Sequence, residues 1–548
     1  MSRAAPEVWR RYGGGADATA LRLFATCWIV LTLHFATNFA REHYPALSLA
    51  ETGSFRVDEY LGLHSDIFET PEGEAYINNN PGVSILAAVP LLVARPALAW
   101  AESLRRRELA ESGGRVSAEY RTERRGWQTF YRQARERGLD LKFGLISFLT
   151  VAFCMSPLTA LAGVVLLGTL RGLAVPRGEA LFLSFLLVLG TPLFFRNGYL
   201  NHNHVLGLAV FFAFVLLWRV APRSPDRRWP VVLAGFLGGF GVLCDYSGVV
   251  PLAFLGAYAA LRAWAAPAAG AADPGWRGAV SGAGWFVAGA ALPIAFLLAY
   301  QWSAFGSPFR PAQALMPPTE YSVHGYHGMT WPRADLIWAN LFDPRFGLFA
   351  FGPILLLALP GLWLTPASWL SRAEKGLIAA FVVAFLLFCS ANQFARLTWN
   401  TGMRYTMPLV PILFLLAIPA LRRMPPLATY AAAVLAFAHA WALAMARESV
   451  PESLVRVFVG GFQLPWLTVI GRTSAQYAPW LEGAPSPLPL MALAAALIAG
   501  VWRFGGGGHP PDAPVGHDAG ASRLGLPTHG SLDESVGVAG SGWQREGP

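Results

Sequence analysis

The chain has 548 residues, 54% of them hydrophobic and only 14% charged, with a formal net charge of +9 and a mean hydropathy of +0.41. A soluble protein of ordinary composition carries about 25% charged residues, and a chain this apolar lacks the polar surface to cover water-soluble domains. Nearly all of the positive charge is Arg, gathered in breaks between apolar runs where it sets membrane topology, which speaks against nucleic acid as a partner.

Residues 1–21 carry Arg3, Arg10 and Arg11 and precede a first apolar run, Leu21 to Ala40, without a convincing cleavage site. The run reads as an uncleaved anchor with a cytoplasmic N-terminus. Residues 22–504 then form one transmembrane domain. Its first outer loop, 41–81, is acidic, with eight Asp and Glu against Arg41 and Arg56. A second helix is expected from Pro81 to Trp100, followed by a basic, amphipathic segment, 101–142, assigned to the cytoplasmic face. The stretch 143–170 is long for one span and short for two, and the charge pattern favours a hairpin that crosses twice. Later spans are expected near 180–195, 204–219, 229–244, 247–262, 281–300, 347–366, 376–391, 405–421, 427–446 and 487–503. The total is an all-α polytopic bundle of about 13 transmembrane helices. Residues 505–548, rich in Gly, Pro, Ser and Asp, read as a disordered tail.

Four polar segments fall on the outer face: 41–81, 196–203, the long loop 301–346, and 392–404. The first contains Asp58-Glu59-Tyr60 and, further on, Asn80 ahead of Pro81-Gly82. Carboxylates at the mouth of a membrane cavity can serve as a general base or hold a divalent cation. The second contains His202 and His204, whose imidazoles can contact a phosphate or relay a proton. The third contains Arg345, with Tyr326 and Trp331 as candidates for stacking on a sugar. The fourth ends in Gly402-Met403-Arg404-Tyr405, where an Arg on the outer face runs against the positive-inside pattern and suits a lipid-linked phosphate. Asp245-Tyr246 reads as an exposed hairpin turn. Cys27, Cys154, Cys244 and Cys389 lie in apolar runs without metal-ligand spacing.

An N-terminal anchor, an outer loop with Asp-Glu-Tyr, a Pro-Gly-led second helix and a late Gly-x-Arg-Tyr-x-x-Pro element together resemble the GT-C integral-membrane glycosyltransferases. These include bacterial relatives of protein O-mannosyltransferases and of lipid A aminoarabinose transferases. The resemblance implies a bacterial inner-membrane enzyme that takes a sugar from a polyprenyl-phosphate donor and passes it to an acceptor on the outer face, with membrane lipid around it. It implies catalytic roles for Asp58 and Glu59. It implies substrate contacts from Arg404, Tyr405, Arg345, His202, His204 and Asn80. No cofactor is required by these motifs, and a divalent cation is left open; the acid that the family often carries near Asn197 is replaced here by Asn and His. The competing readings are a lipid-carrier flippase and a pseudoenzyme on the same scaffold.

Overall fold

The computed structural model describes residues 18–113, 125–221, 228–265, 275–396, 402–473 and 485–504. They belong to a compact unit that ends at Gly505, so the tail from 505 lies outside the described residues. The structure is helical apart from one small antiparallel hairpin among the described residues.

Helix α1 (Ala18–Leu33) is followed by a short α2 (His43–Thr52), then the hairpin of β1 (Ile67–Glu69) and β2 (Ala75–Ile77), paired Ile67 to Ile77. Next come α3 (Gly82–Val93), α4 (Arg95–Glu111) and α5 (Arg125–Glu136). The long α6 (Asp140–Arg171) has a π-turn at Val151–Met155. It is followed by α7 (Arg177–Leu189), a six-residue α8 (Pro192–Asn197) and α9 (His202–Val220). Helices α10 (Trp229–Cys244), α11 (Tyr246–Ala265) and α12 (Trp276–Phe305) form a tight group. The remainder is α13 (Ala334–Phe342), α14 (Pro353–Leu364), α15 (Arg372–Ala391), α16 (Met407–Leu421), α17 (Pro426–Ala446), α18 (Val450–Phe458), α19 (Pro465–Thr473) and α20 (Leu488–Phe504).

Among the described residues six helices are long and apolar enough to cross a membrane: α6, α9, α11, α12, α15 and α17; α1, α10, α14, α16 and α20 are shorter apolar helices. Their packing follows membrane physics, in which close backbone approach replaces a hydrophobic driving force. Where α10 crosses α12, Cβ atoms at Gly235 and Gly289 would lie 1.9 Å from the carbonyl oxygens of Phe286 and Val232. Only glycine permits that crossing.

Three sequence expectations change here. The stretch 143–170 belongs to one continuous helix and not to a hairpin, with a π-turn just ahead of Pro157. The expected second span does not form as one straight helix: α3 has 12 residues, too few to cross alone, and bends 78° into the charged α4. The described C-terminal part of the basic segment 101–142 packs against loop 41–81. Arg137 donates to the carbonyls of Glu59 and Leu61 at 3.3 and 2.9 Å, and Lys142 pairs with Glu51 at 2.8 Å. The physical reason is loop length. With α3 not crossing, more than 100 residues separate α1 from α6, and the positive-inside bias acts on short loops.

Candidate functional site

The ends of many helices meet around a cavity of about 1440 Å³. All four segments assigned to the outer face contribute to its wall, through His64 and Asp66, Arg196 and His202, Tyr326, and Arg404 and Tyr405. The α10–α11 turn (Asp245), the link after α1 (Asn38 to Glu42) and α5 (Tyr131) contribute as well. The turn and α5 were not foreseen as parts of a site, because a tight turn and an amphipathic helix carry no chemical signature.

Local folding explains how each charge is placed. Thr191 caps α8 by accepting from the Leu193 amide, and Pro192 sits at its first position. The helix ends after one and a half turns. Asn201 then donates to the carbonyls of Arg196 and Tyr199 at 2.8 and 2.9 Å, while its Oδ1 accepts from the His204 amide at 3.0 Å and starts α9. This one Asn fixes Arg196 and His202 at the cavity. Asp245 Oδ1 accepts from Ser247 N at 2.8 Å, starting α11 and leaving Oδ2 to face His202.

Glu42, Asp66 and Asp245 are linked through Arg41 and His202. Glu42 is buried and paired with His202 Nδ1, with Arg41 Nε 3.8 Å away. Arg41 Nη1 also donates to Asp66 Oδ2 at 3.1 Å. Burial would raise both carboxyls, but His202 and Arg41 at Glu42, and Arg41, His64 and Arg404 at Asp66, hold them below the usual carboxylate range. Burial pushes the His64 imidazole down.

Two guanidiniums also line the wall. Arg196 is 3% exposed and, among the described residues, has no carboxylate within 4 Å and leaves Nε without a partner. Its support comes from Tyr199, whose hydroxyl accepts from Nη1 and whose ring centroid lies 5.0 Å from the guanidinium. Burial pushes its pKa down, Tyr199 counters this, and Arg404 adds to the push. Arg404 likewise lines the cavity without an ion pair, its guanidinium 5.1 Å from the Tyr405 ring centroid. Behind them, half-buried Arg447 donates to Phe195 O at 2.9 Å, and burial lowers its pKa to about 10. Gly402 shapes this corner: its φ of +111° and the Phe195 ring 2.0 Å from any added Cβ admit glycine alone. Residues 397–401, part of the same sequence motif, lie outside the described residues.

Of the residues singled out from sequence, Arg404, Tyr405 and His202 are brought together at the cavity. Asp58 is not. Its carboxylate accepts from the Ala75 amide at 2.6 Å and pairs with Arg56, which also binds Glu74, so it fastens the hairpin to the preceding turn. Glu59 is exposed and likewise away from the wall. The acids that do line the cavity are Glu42, Asp66, Asp245 and Glu320. His204 is buried behind it, its Nε2 2.7 Å from Thr159 Oγ1. Asn80 donates to Val242 O at 2.9 Å and ties the start of α3 to the end of α10, while neighbouring Asn78 reaches the cavity. The Arg345 side chain is 66% exposed and pairs with Asp343, and its contribution is a carbonyl that accepts from Gly402 N at 2.7 Å. Tyr326 lines the cavity, whereas Trp331 is 89% exposed.

Among the described residues no group of three or more His, Cys, Asp and Glu side chains is placed to hold a metal ion. The cation that actually lies between Glu42 and Asp66 is the Arg41 guanidinium. What the arrangement offers is a cavity large enough for an organic substrate, whose wall holds both an acid–imidazole cluster and two guanidiniums without an ion pair among the described residues. No family model, curated protein or solved structure matches this chain.

Proposed function

We propose that the chain is a membrane-embedded glycosyltransferase of GT-C type, taking a sugar from a polyprenyl-phosphate donor in this cavity and passing it to an acceptor. The observation that carries the reading is the pair of buried Arg196 and half-buried Arg404, which line the cavity without a carboxylate partner among the described residues. An unpaired buried charge costs several kcal/mol, and a planar guanidinium is suited to recover it on phosphate oxygens. The lipid part of the donor has a matching surface. Val249, Ile294, Leu298 and Phe388 line the same cavity on helix flanks that remain partly exposed.

In this reading twelve helices cross: the six long ones, the five shorter apolar ones, and α7. Each runs opposite to the one before it, which puts every cavity-lining turn at one end. Arg171, Arg177, Arg219, Arg262, Arg372 and Arg422 fall at the other. Positive-inside bias then makes the cavity face the outer side of a bacterial inner membrane, with the N-terminus inside. A site at one end of the bundle, rather than midway along it, favours transfer chemistry over transport.

The donor phosphate is held by Arg196 and Arg404, with Tyr405 supporting Arg404, and the sugar lies toward Glu42, Asp66 and Asp245. An acceptor hydroxyl attacks the anomeric carbon as the bond to phosphate breaks, inverting that centre. The test is transfer by the full chain in lipid nanodiscs, offered a panel of radiolabelled polyprenyl-phosphate sugars. Transfer by the wild type that is lost in Arg404→Ala supports the reading, and a donor consumed equally by both removes the phosphate role from Arg404.

A further inference from the structure

Asp245 lies in a turn that looks ordinary in sequence, yet its free oxygen faces an imidazole. His202 Nδ1 hydrogen-bonds Glu42, and because an ionised carboxylate only accepts, Nδ1 carries the proton. Nε2 then has two neighbours: Asp245 Oδ2 at 3.3 Å and Arg41 Nη2 at 3.4 Å. Neutral His202 accepts from Arg41 through Nε2. Protonated His202 donates to Asp245 instead. The groups around it are two carboxylates, Glu42 and Asp245, and one guanidinium, Arg41, itself engaged with Asp66. Two carboxylates against one guanidinium are placed to hold a transient imidazolium, and of the three residues Asp245 is the most open to the cavity, its side chain 20% exposed against 3% for Glu42 and His202.

We propose that Asp245 is the group that takes the acceptor's proton, with His202 as the relay behind it and Glu42 as the residue that positions His202. This rests on the transferase reading above and names its base. The acceptor O–H proton passes to Asp245 Oδ2 and on to His202 Nε2. The electron pair left on the acceptor oxygen forms the bond to the anomeric carbon. The bond from that carbon to the phosphate oxygen breaks, and its electron pair leaves with the phosphate, facing Arg196 and Arg404. The imidazolium, held between two carboxylates, returns the proton to water once product leaves. Asp58, the acid suggested by the sequence motif, has no part in this path.

Two measurements on the full chain in nanodiscs test it. In transfer assays, Asp245→Asn should slow turnover by about 10²–10⁴-fold, the usual contribution of a positioned general base, with donor KM little changed. Asp245→Glu should recover part of that loss, and Glu42→Gln should displace the acidic limb of the pH–rate profile, which a purely structural residue would not do. Separately, nitrogen-15 histidine NMR, with His202 identified from His202→Asn, should show a neutral imidazole protonated on Nδ1 whose signals move in both Glu42→Gln and Asp245→Asn. Wild-type turnover in Asp245→Asn, or an Nδ1 without a proton, overturns the relay. If no donor is consumed by any form while the NMR signature holds, the transferase reading fails and the Glu42–His202–Asp245 proton path stands.

Discussion

Replacing Arg196 by Met separates stability from binding, because the two should move in opposite directions. Arg196 is 3% exposed with no carboxylate to pair with, so in the empty protein it carries a desolvation cost of several kcal/mol. Tyr199 returns part of this: about 2 kcal/mol from a desolvated cation–π contact, whose guanidinium lies 5.0 Å from the ring centroid, and about 1–2 kcal/mol from the hydrogen bond to its hydroxyl. Met has an unbranched side chain of comparable reach and no charge to desolvate. By this reckoning the substitution stabilises the empty protein by about 1–3 kcal/mol, within the range seen when buried charges are exchanged for apolar side chains.

Ligand reverses the order. An anion at a hundredfold its Kd stabilises the native state by about 2.7 kcal/mol, and Arg196→Met forfeits most of that. The assay is thermal unfolding of both proteins in nanodiscs, alone and with inorganic phosphate or farnesyl phosphate. The expected pattern is a higher Tm for Arg196→Met without anion, and an anion-dependent rise confined to the wild type. A variant that is less stable than wild type without anion, and rises equally with phosphate, would mean that Arg196 is a structural strut, and the anion-site argument would collapse.

Other outcomes follow from the same geometry. Asp58→Asn should leave transfer within about tenfold of wild type, far from the 10²–10⁴-fold loss expected of a general base, and should loosen the hairpin, measurable as faster proteolysis of loop 41–81. Gly402→Ala forces a residue into a φ of +111° against the Phe195 ring, so a loss of about 1–3 kcal/mol should accompany weaker phosphate binding, read by melting and by titration. Because the Glu42 and Asp66 carboxyls are depressed in the fold, their contribution to stability is present above the unfolded carboxylate pKa of about 4 and is lost as pH falls through the folded values. Tm should therefore drop on acidification, and Asp66→Asn should flatten that slope. Single cysteines at Glu59 and Arg107 should react with a membrane-impermeant maleimide from the same face, against a quiet background because all four native cysteines are buried; labelling from opposite faces would contradict the contact of Arg137 with the 59–61 segment.

What the sequence made legible is what a bilayer dictates. Apolar runs of helix length located almost every long helix, and the out-of-place Arg404 marked the cavity, since a charge set against the positive-inside pattern needs a local reason. The errors share a cause: each asked a local pattern to report a long-range contact. Asp58 beside Glu59 looks like chemistry, yet whether a carboxylate serves a hairpin or a substrate depends on Ala75 and Arg56, and only the fold supplies those distances. Asp245 looks like a turn because a helix-capping Asp and a proton acceptor have the same local sequence, and the distinguishing fact is a histidine 43 positions earlier. The basic segment 101–142 misled for the complementary reason, since Arg105 is matched by Glu108 and Asp140 and Arg106 by Glu102. Arginine count is a guide to a face only where arginines lack partners, and what singles out Arg196 and Arg404 is that they line the cavity with no ion pair among the described residues, whereas Arg41 on the same wall is paired.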